Sequence, residues 1–429
     1  MAEQDRVFAK CAWRLIPFMT LLYLVNFIDQ VNVGFAALTM NSDLNFSPTV
    51  FGFGAGVFFL GYMLMQIPAS VVIERLGVRR CIFFILFIWG LISAACSLVQ
   101  GPASFYALRF CLGLAEAGFF PGMIFYLTLW FPQAYRARHT ATFVSANALA
   151  FVIGAPLSSL ILRLDGALQL HGWQWLFLLE GLPAFFLSFA ALALLPDSPA
   201  KTSWLTEAEK KTIAARLAHE DTSAHRDVWP ALRDPRVLII GVVAVTISSS
   251  LYGIRLWLPQ IVQAMGFSNL ATGFVVALFF AVAMLVMNLW GRSSDLRQER
   301  FRHVALPMFV AALGFIVAGM AARESLVLTA LFVVVSSVSA AMGVYWSIPS
   351  SFLRGPAAAA SIAVANCFSS LGGFLGPFVI GVLKERSGTY ASSMAALALG
   401  LVLGACIVLA MSRSLEPRAA TARPEASAG

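Results

Sequence analysis

The chain has 429 residues, 59% of them hydrophobic and only 12% charged, with a mean hydropathy of +0.82. Soluble domains carry about 25% charged residues, so the two or three soluble domains that the length alone would suggest are excluded. The formal charge of +8 reflects topology more than a nucleic-acid partner: with both termini cytoplasmic, 23 of the 29 Lys and Arg residues fall on the inner side, the positive-inside asymmetry.

The first apolar block, 13–36, carries Asn26, Asp29, Gln30 and Asn32 at its centre and has no A-x-A-like site, so it is a first span and not a removed signal peptide. Eleven further blocks follow at 49–73, 79–100, 103–130, 139–163, 173–195, 237–263, 270–290, 302–321, 325–351, 357–383 and 389–412. Each is near the ~20 residues that a helix needs to cross a hydrocarbon core. The second and third are joined by residues 74–80 (ERLGVRR), where Glu74 stands beside Arg75, Arg79 and Arg80. An acid facing arginines at helix ends can latch them and release them as a gate. Simple positive-inside anchoring, with Gly77 closing a turn, is the alternative.

On the fourth span Arg109 and Glu116 are seven residues apart. At ~100° per residue they share a face, two turns or roughly 10 Å apart, with Gly113 between them leaving room. A guanidinium offers a fork matched to a carboxylate, so Arg109 is a natural clamp for an anionic substrate. Burial disfavours the charged form of a carboxyl, which suits Glu116 to carrying a proton, and Asp29 is assigned the same work. A charge at mid-membrane costs about 2.5–3.5 kcal/mol even on insertion scales, which marks such residues as functional or paired. A static ion pair with another helix is the competing reading. Glu180, in a Glu-Gly-Leu-Pro setting on the sixth span, is a weaker candidate and suits a structural bond within the first half.

The widest interruption is 196–236, where Thr206 followed by Glu209 fits a capping box and predicts a short surface helix over 206–220. It divides the spans six and six. Glu74 and Asp295, Phe131 and Phe352, and Pro156 and Pro377 all differ by 221, an echo that favours duplication. The expected fold is therefore an all-α membrane protein of twelve transmembrane helices in two six-helix halves around a central cavity. Its parts are an N-terminal bundle over 1–195, a cytoplasmic linker over 196–236, a C-terminal bundle over 237–412 and a flexible cytoplasmic tail over 413–429. Arg255 on the seventh span, the counterpart of the first, either faces the same cavity or snorkels to an interface. Asp295, in 291–295 (GRSSD), repeats the gate candidate.

The stretches 74–80, 23–36 (YLVNFIDQVNVGFA), 109–122 (RFCLGLAEAGFFPG), 173–183 (WQWLFLLEGLP), 257–260 (WLPQ) and 372–377 (GGFLGP) together resemble the anion:cation symporter family of the major facilitator superfamily, along nearly the whole chain. The nearest flavour is the branch for tartrate, phthalate and related carboxylates. The resemblance implies proton-driven uptake of a small organic anion, a carboxylate or sugar acid, across a bacterial inner membrane by a monomer. Matching family positions add Tyr62, Asn147, Trp346 and Asn366 as cavity candidates, each of which could instead be interhelical glue. The family commonly has Asp-Arg where this chain has Asp29-Gln30, so the usual two-arginine clamp lacks a cation; Gln30 still donates hydrogen bonds, and Arg255 is placed to compensate.

Other chemistry finds no support in the sequence. None of the histidines is mid-span, the six cysteines form no C-x-x-C, and there is no Walker A loop, H-E-x-x-H or G-x-S-x-G. No metal, cofactor, ATP coupling or enzymatic activity is expected. Two competing functions remain open. One is proton-antiport efflux, for which Gly154-Ala155-Pro156 is a partial marker with Ala150 in place of its preceding glycine. The other is an anion sensor that moves nothing.

Overall fold

In the computed structural model, which describes residues 3–218, 233–349 and 355–420, twelve helices are long and apolar enough to cross a membrane. They run Asp5–Asp43, Pro48–Leu76, Val78–Leu98, Pro102–Trp130, Gln133–Leu164, Gly172–Leu194, Pro235–Ala264, Asn269–Arg297, Phe301–Met320, Glu324–Tyr345, Ala360–Ser387 and Ala391–Arg413, and are spans 1 to 12 below. Helices satisfy every backbone donor and acceptor internally, which hydrocarbon demands of a spanning segment. Large apolar side chains such as Phe186, Leu289 and Leu313 are exposed, as lipid-facing surfaces require. Phe352 and the last residues of the tail lie outside the described residues.

Several spans outrun their apolar blocks. Span 1 covers Asp5–Asp43 against an expected 13–36, because hydropathy marks the hydrocarbon core and not the helix ends. Span 4 is interrupted: one helix ends at Glu116 and the next begins at Phe119. Pro121 has no N–H to offer the carbonyl of Ala117 and its ring crowds that position, so the break falls one turn before the proline and directly after Glu116.

The chain forms two compact units, Met1–Ala224 with Arg255–Ala281, and His225–Ile254 with Val282–Gly429. In the first, span 1 packs on span 5, span 2 on span 4, and span 3 on span 6. Spans 2 and 4 approach closely because Gly113 has no side chain: a Cβ there would run into the Phe58 carbonyl oxygen. Residues 255–281 lie against span 1, where Gly34 sits beneath Leu256 and Asn41 Nδ2 donates to Gln260 Oε1 at 3.1 Å. A helix over Glu207–Leu217 is capped by Thr206, whose Oγ1 accepts from Glu209 N at 3.3 Å while Glu209 Oε2 accepts from Thr206 N at 2.7 Å. Lys10 Nζ reaches both Glu209 oxygens at 2.9 Å, and Arg14 stands over the Trp204 ring, fastening the linker to span 1.

In the second unit, span 9 packs on spans 10 and 12. The early part of span 7 meets span 11 through the Ser248–Ser369 hydroxyl pair at 2.6 Å, and Tyr345 donates to the Ile240 carbonyl at 3.0 Å.

Candidate functional site

Span 1 divides its polar residues between two faces. At ~100° per residue, Asn26 and Gln30 point within about 40° of each other, while Asp29 and Asn32 centre roughly 110° away. The first pair serves Glu116 and the second forms the surroundings of Asp29.

Asp29 is fully buried. Its Oδ2 accepts from Trp89 Nε1 at 2.7 Å, and its Oδ1 accepts from Asn32 Nδ2 at 3.0 Å and from the Ser93 hydroxyl. Trp89 and Ser93 are one helical turn apart on span 3, so that span presents both donors to one carboxylate. Three neutral donors hold the group in place without fixing its charge.

Glu116 is also fully buried. Its Oε2 accepts from Asn26 Nδ2 at 2.8 Å and Gln30 Nε2 at 3.0 Å, while its Oε1 has no hydrogen-bond partner. Gln30 thus directs its amide to Glu116, with a longer 3.4 Å bond to Asn26 Oδ1.

Arg109 is 1% exposed, and its charge acts on both Asp29 and Glu116. Among the described residues no carboxylate lies within the 4.0 Å of an ion pair with it, and its Nε and Nη1 have no hydrogen-bond partner. The Phe58 ring lies 5.0 Å from the guanidinium carbon, a cation–π contact worth about 0.5–2 kcal/mol. That is small beside the several kcal/mol that desolvating a charge costs. Stability does not account for this side chain; its free N–H groups suit a carboxylate brought from outside. The ion pair with another helix, the competing expectation for Arg109, is absent among the described residues.

Arg255 is half-buried over two aromatic rings, 4.6 Å from the Phe151 centroid and 5.7 Å from that of Phe280, which stack on each other at 4.2 Å. Tyr62 is half-buried on span 2, its ring 6.1 Å from Phe58, the ring beneath Arg109. Asn147 is half-buried on span 5. Trp346 and Asn366 belong to the second unit. Trp346 is half-buried at the end of span 10 with its ring edge-on to Tyr345 at 5.2 Å, and the Asn366 carbonyl accepts from Ser370 Oγ at 3.1 Å.

The loop residues take other partners than the sequence suggested. Glu74, Arg75 and Arg80 are exposed, and Glu74 forms no ion pair among the described residues. Arg79 instead donates to the Leu192 carbonyl and stands 4.0 Å from Asp197 of the linker. Asp295 pairs with Arg300, five residues on.

Sequence reasoning missed Trp89, Ser93 and Ser158, the donors that hold the acids. A tryptophan and a serine at i and i+4 on an otherwise apolar span 3 were the available signal. No group of three or more metal-ligating side chains occurs among the described residues.

The description Major Facilitator Superfamily matches residues 19–377. A protein of Agrobacterium vitis named "Putative tartrate transporter" is 43% identical over 98% of this chain and 94% of its own length. A quinolone resistance transporter of Acinetobacter baumannii is 37% identical over 96% of each chain. Among solved structures, an inward-facing bacterial homologue of the human lysosomal transporter Spinster superposes with a TM-score of 0.80 at 18% identity, over 97% of this chain and 98% of that one, a likeness of fold alone. With its twelve spans and relatives matched almost end to end, the chain belongs to the major facilitator superfamily, a family of membrane transporters and not of enzymes.

Proposed function

We propose that the protein is a proton-coupled symporter that imports a small organic anion, a carboxylate or sugar acid, across a bacterial inner membrane by alternating access. The observation that carries this reading is Arg109: a buried guanidinium with no acid paired to it among the described residues and two unpartnered nitrogens. Two carboxyls under its influence, Asp29 and Glu116, are held by neutral donors and remain free to gain or lose a proton. Protons entering from outside load them. Neutralising Glu116 removes a nearby negative charge that opposes entry of an anion, and Arg109 then grips the substrate carboxylate. Closure carries both inward, and the cytoplasm draws the protons off. Tyr62, Asn147 and Arg255 contribute further substrate contacts in this proposal, and Gln30 contributes through Glu116. Residues Glu74, Arg75, Arg79, Arg80 and Asp295 act at the cytoplasmic gate, with both termini on that side and the protein working as a monomer. The tartrate-transporter relatives support the substrate class.

The test is uptake of tartrate and related dicarboxylates into proteoliposomes under an inward proton gradient. Arg109→Ala is expected to lower binding and uptake by at least about 30-fold, since breaking a buried charged pair costs about 2–5 kcal/mol. Uptake by that variant at the wild-type rate would refute the anion site.

The relation to the quinolone resistance transporter supports a second reading, efflux by proton antiport. Substrate added to energy-depleted cells decides between them. Under symport the medium becomes more alkaline as protons enter with the anion; under antiport it becomes more acidic.

A further inference from the structure

Arg109 has no acid paired to it among the described residues, and its Nε and Nη1 have no hydrogen-bond partner. What the structure does set against it is the Phe58 ring, 5.0 Å from the guanidinium carbon. Phe58 is 1% exposed, so protein encloses the ring on all sides. Phe59 stands edge-on to it at 5.2 Å, and the Tyr62 ring lies at 6.1 Å.

The backbones of spans 2 and 4 fix this placement. Against Gly113, where a Cβ would collide with the Phe58 carbonyl oxygen and stand 2.9 Å from the Tyr62 nitrogen, the two spans touch. Gly61 repeats the contact: a Cβ there would run into the Phe110 carbonyl oxygen and stand 3.1 Å from the Leu114 nitrogen. Two such contacts set the register of the pair. Spans 2 and 4 run in the same direction, and helical side chains lean back towards the N-terminus. Arg109 precedes Gly113 by one turn, so the ring leans from Phe58 towards the turn that carries Arg109.

The groups whose charge acts on Arg109 are Cys96 at the end of span 3, Asp29 on span 1 and Glu116 on span 4. Asp29 and Glu116 are tied to donors of their own. A guanidinium left to turn among them would have to be frozen each time an anion bound, and ordering a long side chain costs affinity. The face of an aromatic ring attracts a cation through its quadrupole, yet more weakly than a carboxylate does, so an arriving anion is not outbid. We propose that Phe58 is the positioning residue for Arg109: its ring face holds the guanidinium in one place before an anion arrives, with the N–H groups left open. The consequence for affinity rests on the reading of Arg109 as the anion site, whereas the fixing of the side chain does not.

Solid-state NMR on the full-length protein in lipid, labelled with 15N-arginine, tests the fixing without any transport measurement. The Arg109 Nε–H signal, identified by its loss in Arg109→Lys, should show an order parameter close to that of rigid backbone. Phe58→Leu, which keeps apolar bulk and removes the π face, should lower it. A low value in the wild type, or an unchanged one in the variant, overturns the proposal. If Phe58→Leu fails to fold, replacement of Phe58 by 3,4,5-trifluorophenylalanine decides the same question, since fluorine drains the π face and nearly preserves the shape. The effect on binding is read from the tartrate dissociation constant. It should rise in steps as Phe58 is replaced by its 4-fluoro, 3,5-difluoro and 3,4,5-trifluoro forms, by about threefold or more in all. A ring that only filled space would give no such gradation, and a smaller or ungraded change overturns the positioning role. Absence of tartrate binding by the wild type itself would instead refute the anion site and leave the NMR result to decide whether Phe58 holds Arg109.

Discussion

Glu116 and Arg109 show how side chains on one helix can stay apart and remain linked. They share a face of span 4 but form no ion pair, because two helical turns separate them and the Glu116 carboxyl is bound by Asn26 and Gln30 of span 1. A permanent pair would neutralise the guanidinium and close it to a substrate. Glu116→Gln keeps a side chain of the same shape but fixes it in the neutral form. That variant is expected to exchange labelled substrate for unlabelled substrate across the membrane at near the wild-type rate. Its accumulation against a gradient, driven by a pH difference, should fall to background. Normal accumulation would remove Glu116 from the proton path. The three central charges were legible in the sequence because a charge within twenty apolar residues is conspicuous. The donors were not: serine and tryptophan are ordinary in membrane helices, and only packing reveals that Trp89 and Ser93 meet Asp29.

At the scale of the element, hydropathy located every span but missed the extent of the longer ones, since a helix continues beyond the hydrocarbon wherever capping and polar contacts sustain it. The break in span 4 lies directly after Glu116, a place that depends on which carbonyl loses its donor and that hydropathy does not mark. The linker helix offers an electrostatic prediction. The Lys10 ammonium, followed by the Thr206 N–H, holds the Glu209 carboxyl below the usual carboxylate range. A depressed folded-state pKa gives stability that is present above the ordinary value and lost as pH falls through the folded one. Melting temperatures of wild type and Glu209→Gln should therefore differ near neutrality and converge in acid. The difference corresponds to no more than about 1 kcal/mol, since the pair is partly exposed. A gap that persists undiminished in acid would show that the ion pair is not its source.

For the whole molecule, binding and protonation at one region must obey reciprocal linkage: if protons raise the affinity for the anion, the anion raises the affinity for protons by the same factor. Thermal-shift titration of the purified protein with tartrate should accordingly show tighter binding as the pH is lowered, with a flattened dependence in Glu116→Gln. Equal pH dependence in both proteins would place the coupling elsewhere. Family membership was legible from motifs spread along the chain, because each preserves a local turn or close contact. The partners of the gate candidates were not, since Arg79 finds Asp197 in a linker whose path no motif specifies.

Gln30 carries a last consequence. With an amide on span 1 where the family commonly has arginine, Arg109 is the single wholly buried cation among the described residues, against the carboxyls of Asp29, Glu116 and Glu180. On the proposed reading one fixed guanidinium matches one carboxylate of a solute inside the site, but it returns unchanged in every cycle. Voltage therefore opposes entry by about 2.3 kcal/mol for each uncompensated negative charge moved across 100 mV, and only protons that travel with the solute lower that sum. Under that reading the resting potential selects for anions that bring as many protons as they carry charges.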